Sequence, residues 1–263
     1  LVRGCACRGT AGFAHVSCLA EQAKILVAEA EENNLGYNAF TERFARWSTC
    51  SLCEQNYHGV VRCALGWACW KTYVGRPEGD EAWSFAMRML GSGLSDAYHH
   101  ADALVVKEAE LSLLRRLGGS ESSILMTQGN LANTYAKLRR FEEAMLLRRD
   151  VYSGLLRISG EENLLTLMAA NNYADSLFEL ERFEEAKSVL RKTMPVARRV
   201  LGENSDTTLN MRWNYARALY GDTASTPDDL RESVTTLEET LPTLRRVLGG
   251  AHPMTVEVER NLG

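Results

Sequence analysis

Cys5, Cys7, His15, Cys18, Cys50 and Cys53 are the residues of this 263-residue chain whose types and spacing could do chemistry. They fall in short-spaced pairs: Cys5-Ala-Cys7, His15-Val-Ser-Cys18 and Cys50-Ser-Leu-Cys53. A thiolate or imidazole pair on a short loop clasps a metal from two sides, and four such ligands close a tetrahedral structural zinc site. Three pairs supply six ligands, more than one such site needs and two short of a second. The chain opens on Leu1, so the missing pair is expected upstream of it.

All seven cysteines lie within the first 69 residues, ahead of a long cysteine-free region. Disulfide scaffolds are small secreted domains, so this distribution points to metal binding in a reducing compartment, the cytoplasm or alternatively the nucleus. A net charge of −4 argues against nucleic acid, which needs clustered cations. The doublets Arg139-Arg140 and Arg198-Arg199 alternate with Glu142-Glu143 and Glu184-Glu185, as solvated helix faces do. No apolar run reaches the roughly 20 residues that span a bilayer, so no membrane partner is evident. Phosphate loops, nucleophile elbows and HExxH helices are also missing. His99-His100 beside Asp102 reads as a solvated loop.

The elements that must position the ligands are helical. Residues 19–46 are rich in Ala, Glu, Lys and Leu and break at Asn33-Asn34-Leu35-Gly36, which predicts two helices joined by a turn. Residues 57–76 read as a buried helix with Trp67, Trp70 and Tyr73 as a core stripe. Cys63 and Cys69 lack a matching pair and read as small buried hydrophobes. Gly75-Arg-Pro-Glu-Gly79 marks a joint.

Beyond the joint the sequence repeats. Gly129–Ala144 (GNLANTYAKLRRFEEA) matches Asn171–Ala186 (NNYADSLFELERFEEA) at a period of 42, and a further period reaches Asn214. Gly118, Gly160 and Gly202 end helices at the same period, and a degenerate unit runs from about Trp83 to Gly118 with Gly91, Leu94 and Ala103 at packing positions. Between Gly202 and Gly249 the interval lengthens by five residues, which Gly221–Leu230 is expected to absorb as a longer loop. Pro195 and Pro242 predict a shared kink or an early helix break. A fixed period holding two amphipathic segments is the signature of a helical solenoid. The small residues Ala132, Ala144, Ala174 and Ala186 allow close helix approach, and Tyr135, Phe141, Leu177 and Phe183 fill the space between.

The ligand spacing, with CRGTAGFAHVSCL and RWSTCSLCEQNY around it, resembles the RING-CH (RING-variant) zinc finger. That family reads Cys-x2-Cys, Cys-x-Cys, seven residues, His-x2-Cys, a spacer and Cys-x2-Cys. The resemblance implies a cross-braced arrangement, with Cys5, Cys7, Cys50 and Cys53 forming one complete zinc site and His15 with Cys18 half of a second. It also implies that Trp47 lines the groove that grips a ubiquitin-conjugating enzyme, although Trp47 could equally pack under the zinc site. The first pair is absent here and the 31-residue spacer between Cys18 and Cys50 is long for the family. The repeats resemble tetratricopeptide repeats (TPR), and Leu248-Gly-Gly-Ala-His-Pro-Met-Thr255 resembles the kinesin light chain subtype. TPR proteins bind extended peptides on the face lined by helix A. The resemblance therefore implies peptide binding by Asn130, Asn172 and Asn214, with Asn133, Asp175 and Arg217 as specificity positions. An amide both donates to C=O and accepts from N–H, which suits that task. The same asparagines could instead bond neighbouring helices.

The expected protein is all-α: a partial RING-CH-type finger with a helical insertion at 1–56, a connecting helix at 57–78 and a TPR solenoid at 79–263. It resembles RING-CH/TPR proteins of unicellular algae, cut at both ends. The combination implies an E3 ubiquitin ligase whose finger recruits the conjugating enzyme and whose repeats bind substrate peptides, with no catalytic side chain of its own. The alternative is a non-catalytic adapter in which the zinc module caps the exposed end of the solenoid.

Overall fold

The computed structural model describes residues 2, 4–7 and 13–262. Among them the chain is all-α, with twelve helices, one 3₁₀ turn and two isolated antiparallel bridges, Val2 with Ala14 and Thr49 with Asn56. It divides into two compact units, Leu1–Leu138 and Arg139–Gly263.

The first unit holds α1 (Val16–Glu32), α2 (Tyr37–Phe44), the 3₁₀ turn Ala45–Trp47, α3 (Gly59–Tyr73), α4 (Glu81–Asp96), α5 (His100–Arg116) and α6 (Glu121–Lys137). The break between α1 and α2 falls at the Asn-Asn-Leu-Gly segment, where Asn34 takes a left-handed φ of 48°. Ala23, Val27 and Ala30 of α1 share one core with Phe40, Phe44, Trp47, Cys69, Tyr73, Ala82 and Ala86. The insertion between the ligand pairs is therefore packed onto α3 and α4. Glycine makes the α3–α4 contact possible. A Cβ on Gly93 would lie 2.7 Å from the Arg62 carbonyl oxygen and one on Gly66 2.8 Å from that of Met89. Arg76 clamps the joint after α3 to α1 through two bonds to the Glu31 carboxylate, at 2.5 and 2.8 Å.

Only part of the expected aromatic stripe on α3 is core. Tyr73 is buried and Trp70 packs on Trp83 at 5.6 Å, but Trp67 is 44% exposed. Spacings of three drift around a helix, and Trp67 lies past the edge of the face toward α4. Cys69 is fully buried, whereas Cys63 is half-buried.

The second unit holds α7 (Phe141–Ser159), α8 (Leu164–Glu179), α9 (Phe183–Leu201), α10 (Asp206–Gly221), α11 (Pro227–Val247) and α12 (Pro253–Leu262). Gly160, Gly202 and Gly249 follow α7, α9 and α11 with φ of 80–88°, a conformation only glycine adopts cheaply. The equivalent ends of the alternate helices use other residues: Arg139 and Glu181, with φ of 60° and 57°. Ala144, Ala174, Ala186 and Leu177 are buried as the period predicts.

Of the two outcomes expected of the prolines, a shared kink or an early break, the break does not occur: α9 and α11 run through Pro195 and Pro242. Ala197 and Leu244 beyond them are fully buried, and that packing offsets the lost backbone bond. The five extra residues, expected in one longer loop, are spread out: the α10–α11 loop and α11 are each two residues longer than their counterparts, and the loop before α12 one longer. Thr226 and Asp229 form a capping box that starts α11 at Pro227.

Candidate functional site

The Cys50-Ser-Leu-Cys53 turn is built by local backbone bonds. Cys50 N–H donates to the Gln55 carbonyl at 2.9 Å, Glu54 N–H to the Cys50 carbonyl at 3.0 Å, and Glu54 takes a left-handed φ of 55°. The Cys5–Cys7 strand is brought to it by His58 N–H donating to the Gly4 carbonyl at 2.8 Å. Gly4 lies so close to α3 that a Cβ would come within 2.6 Å of Val61 Cβ. Residues 45 apart in sequence thereby meet, and the Sγ atoms of Cys5, Cys7, Cys50 and Cys53 all lie within 4.8 Å of one another.

This donor set fits zinc. Zn–S bonds of about 2.3 Å in a tetrahedron place sulfurs about 3.8 Å apart, and Cys7 Sγ to Cys50 Sγ is 3.8 Å. All four cysteines are free of disulfides. Burial alone would raise the Cys50 thiol, but the backbone N–H groups of Cys53 and Leu52 and the neighbouring thiols bring it down to about 6. The Cys53 thiol, followed by burial, pushes Cys7 up to about 12. One thiol thus ionises readily and makes the next harder to ionise, the electrostatics of a set that needs a cation to hold all four as thiolates. Tyr57 closes the base with Cys50, Val61 and Leu65, its hydroxyl pushed above the usual range by burial and by the adjacent Cys50 charge.

The other expected ligands stand apart from this cluster. His15 Nδ1 and Cys18 Sγ lie 3.9 Å from each other at the start of α1, both exposed. Of the two roles expected of Trp47, the structure gives the packing one: it is 1% exposed and edge-on to Tyr73 at 6.0 Å, and so does not line a surface groove. Its position one turn before Cys50 serves the core under α1 and α3. His99 and Asp102 approach only to 3.9 Å on the surface.

The six residues expected to bind peptide divide by environment. In the first unit, Asn130 and Asn133 are exposed on α6. In the second, Asn172 and Asp175 on α8 are half-buried, whereas Asn214 on α10 is 6% exposed. Asn214 Nδ2 donates to Asn171 Oδ1 at 3.0 Å, and its Oδ1 accepts from Arg217 at 3.2 Å. Its amide is a bond between helices, which corrects its assignment to peptide. Arg217 stacks 3.9 Å over Phe178 and pairs with Asp175 at 3.4 Å, so these two positions also hold α8 against α10.

Among the described residues, four buried cations, Lys107, Arg148, Lys187 and Arg212, were missed by sequence reasoning, and two of them repeat one device. Lys107 Nζ donates to Ser95 and Thr134 hydroxyls at 2.8 Å and reaches the Asn130 carbonyl at 3.4 Å. Arg148 repeats the device in the second unit, donating to the Asn172 carbonyl at 3.0 Å, Ser176 Oγ at 2.8 Å and Asp175 at 3.1 Å. Thr134 and Ser176 are one period apart, and a basic residue about 27 positions before each was the available signal. At the next period the positions are Leu190 and Ala218, both buried, so the third junction is apolar.

The family comparison settles the repeats: the tetratricopeptide repeat family matches residues 124–163 and, in a second version, residues 165–224. Residues 124–224 are tetratricopeptide repeats. Solved structures agree on the fold. Kinesin light chain TPR-like repeats from Podosopora anserina superpose with a TM-score of 0.59 at 14% identity, covering 89% of this chain and 98% of that one. BtubC (BKLC) from P. vanneervenii gives 0.58 at 15% identity, covering 95% and 82%. No curated protein sequence matches the chain. Among the described residues, no helix is long and apolar enough to cross a membrane.

Proposed function

We propose that this chain is a TPR adapter for peptide segments of partner proteins, with an N-terminal module folded around one zinc ion held by Cys5, Cys7, Cys50 and Cys53. The observation that carries the zinc assignment is the convergence of four thiols on one point from two loops, at a separation that suits tetrahedral thiolate coordination. Zinc there would supply a cross-link: it would tie the Gly4 loop to the Cys50 turn over Tyr57 and thereby fix that turn to α3. The close glycine contacts between α3 and α4 then make the module one end of the repeat array, consistent with a cap. For the repeats, Asn130 is exposed on α6 and Asn172 half-buried on α8, and each could receive a peptide backbone on its own unit. Peptide-array binding tests this reading: Asn130→Ala with Asn172→Ala should remove captured peptides while far-UV circular dichroism stays unchanged. Retention of every peptide by that variant would refute it.

A second reading, a RING-CH-type ubiquitin ligase, is favoured by the ligand spacing and by Leu52. This side chain is 68% exposed between Cys50 and Cys53 and offers a conjugating enzyme the apolar contact that buried Trp47 does not. His15 and Cys18 would contribute half of that module's second zinc site. Autoubiquitination assays with a panel of conjugating enzymes decide it: transfer must occur and must fall on both Cys50→Ser and Leu52→Ala. Absence of transfer leaves the adapter alone.

A further inference from the structure

A cavity of about 270 Å³ opens in the first unit between α3, α4, α5 and α6, and its wall is basic. Arg62, His100, Lys107 and Lys137 face Asp96, with Asn130 beside them. Three permanent cations against one carboxylate leave two net positive charges, in a chain whose total charge is −4.

The arrangement leaves that charge unspent. Lys107 is 7% exposed, and its ammonium is met by the Ser95 and Thr134 hydroxyls and the Asn130 carbonyl, with no carboxylate within ion-pair distance among the described residues. Neutral dipoles satisfy its hydrogens without cancelling its field, which reaches the cavity through a low-dielectric wall. Arg62 gives one terminal nitrogen to Asp96 at 2.9 Å, while its Nε is shielded from solvent and has no hydrogen-bond partner. His100 Nδ1 is likewise shielded and unpartnered. These orphaned polar atoms belong to two residues of the cavity wall whose hydrogen bonding is incomplete.

We propose that this cavity binds a phosphate monoester dianion, carried either on a phosphorylated serine or threonine of a partner protein or on a small molecule. A phosphate monoester bears a charge of about −1.5 to −2 at pH 7 and three acceptor oxygens, which match two net positive charges and donors arriving from separate helices. A single carboxylate would leave about half of that charge uncompensated, and a metal cation would be repelled. The site joins α3, which follows the last zinc-ligand pair, to the first repeats, so an occupant would stiffen the link between module and array.

Isothermal titration calorimetry of the full chain at low salt tests the proposal with inorganic phosphate, phosphoserine and acetate as probes. Phosphate and phosphoserine should bind at least about tenfold more tightly than acetate, and Arg62→Gln should weaken them about tenfold. Lys107→Met removes buried hydrogen bonds along with the charge, so exposed Lys137→Ala on α6 is the companion variant, with an expected loss of about fivefold. A phosphoserine peptide library compared with its unphosphorylated counterpart separates the sources. Retention of phosphorylated members, eluted by inorganic phosphate, assigns a protein ligand. Binding of phosphate and phosphoserine without any library member retained assigns a small molecule. Acetate binding as tightly as phosphate, no phosphate binding at millimolar concentration, or unchanged affinity in a folded Arg62→Gln variant would overturn the proposal.

Discussion

Replacing Gly93 by alanine probes the contact that joins the cysteine module to the repeats. The new Cβ would lie 2.7 Å from the Arg62 carbonyl oxygen, 2.9 Å from Cys63 Cα and 3.1 Å from the Arg62 carbonyl carbon, all backbone atoms of α3. No rotamer change relieves such a clash, so α3 and α4 must separate. Overpacking of this kind costs about 1–3 kcal/mol, and the helix propensity gained over glycine returns up to about 1 kcal/mol. The expected net loss is up to about 2 kcal/mol, a fall of up to about 8 °C in the melting temperature of a unit this size, and about 1–3 kcal/mol relative to a Gly→Ala change that meets nothing. Gly129→Ala in α6 is the control: nothing lies within 4 Å of its Cβ position, so propensity alone acts and stability should rise. Gly66→Ala meets Met89 O at 2.8 Å across the same interface, and combined with Gly93→Ala it should cost less than the two separately, since helices already parted do not clash twice. Urea unfolding followed by tryptophan fluorescence reads this unit, which holds Trp47, Trp67, Trp70 and Trp83. A Gly93→Ala variant as stable as the Gly129→Ala control would show that α3 and α4 do not pack as described.

Three further outcomes are expected. Asn214→Ala should cost about 1–3 kcal/mol in denaturant unfolding because it leaves Asn171 Oδ1 without its donor and takes one acceptor from Arg217, while exposed Asn130→Ala should change stability by no more than about 0.5 kcal/mol. Arg148→Ala should destabilise by about 2–4 kcal/mol, and Arg148→Leu with Ser176→Ala, which copies the apolar Leu190 and Ala218 junction, should recover part of that loss. Asp229 is held below the usual carboxylate range by the Thr226 hydroxyl and its backbone N–H. The contribution of a depressed carboxylate is present above the unfolded pKa of about 3.9 and is lost as pH falls through the folded value. Asp229→Asn should therefore flatten that acid-side loss when unfolding is measured from pH 2 to 6.

The repeats were legible because their signals are local and recur: a glycine at the end of every other helix, a small residue where helices touch, and one asparagine per period. The meeting of Cys5 and Cys7 with Cys50 and Cys53 followed from a family resemblance and from ligand chemistry, not from local pattern. What escaped the sequence depends on partners one repeat away. Asn214 looks like Asn130 within its own repeat, yet Asn171, 43 residues earlier, turns its amide inward. Trp47 sits at the expected distance from Cys50, but the inserted α1 and α2 cover it. The prolines left a kink and a break both open, and the burial of Ala197 and Leu244 beyond them, which excludes the break, depends on neighbouring helices.

The most direct test of the account is the metal content of the purified chain. Elemental analysis after exhaustive dialysis should give close to one zinc per chain, native mass spectrometry should show it bound to the folded protein, and cobalt substitution should produce the absorption of tetrahedral thiolate coordination. Cys50→Ser or Cys7→Ser should lose the metal while the repeat helices persist. A folded protein without zinc, or zinc content unchanged by either substitution, would contradict the assignment of Cys5, Cys7, Cys50 and Cys53 as its ligands.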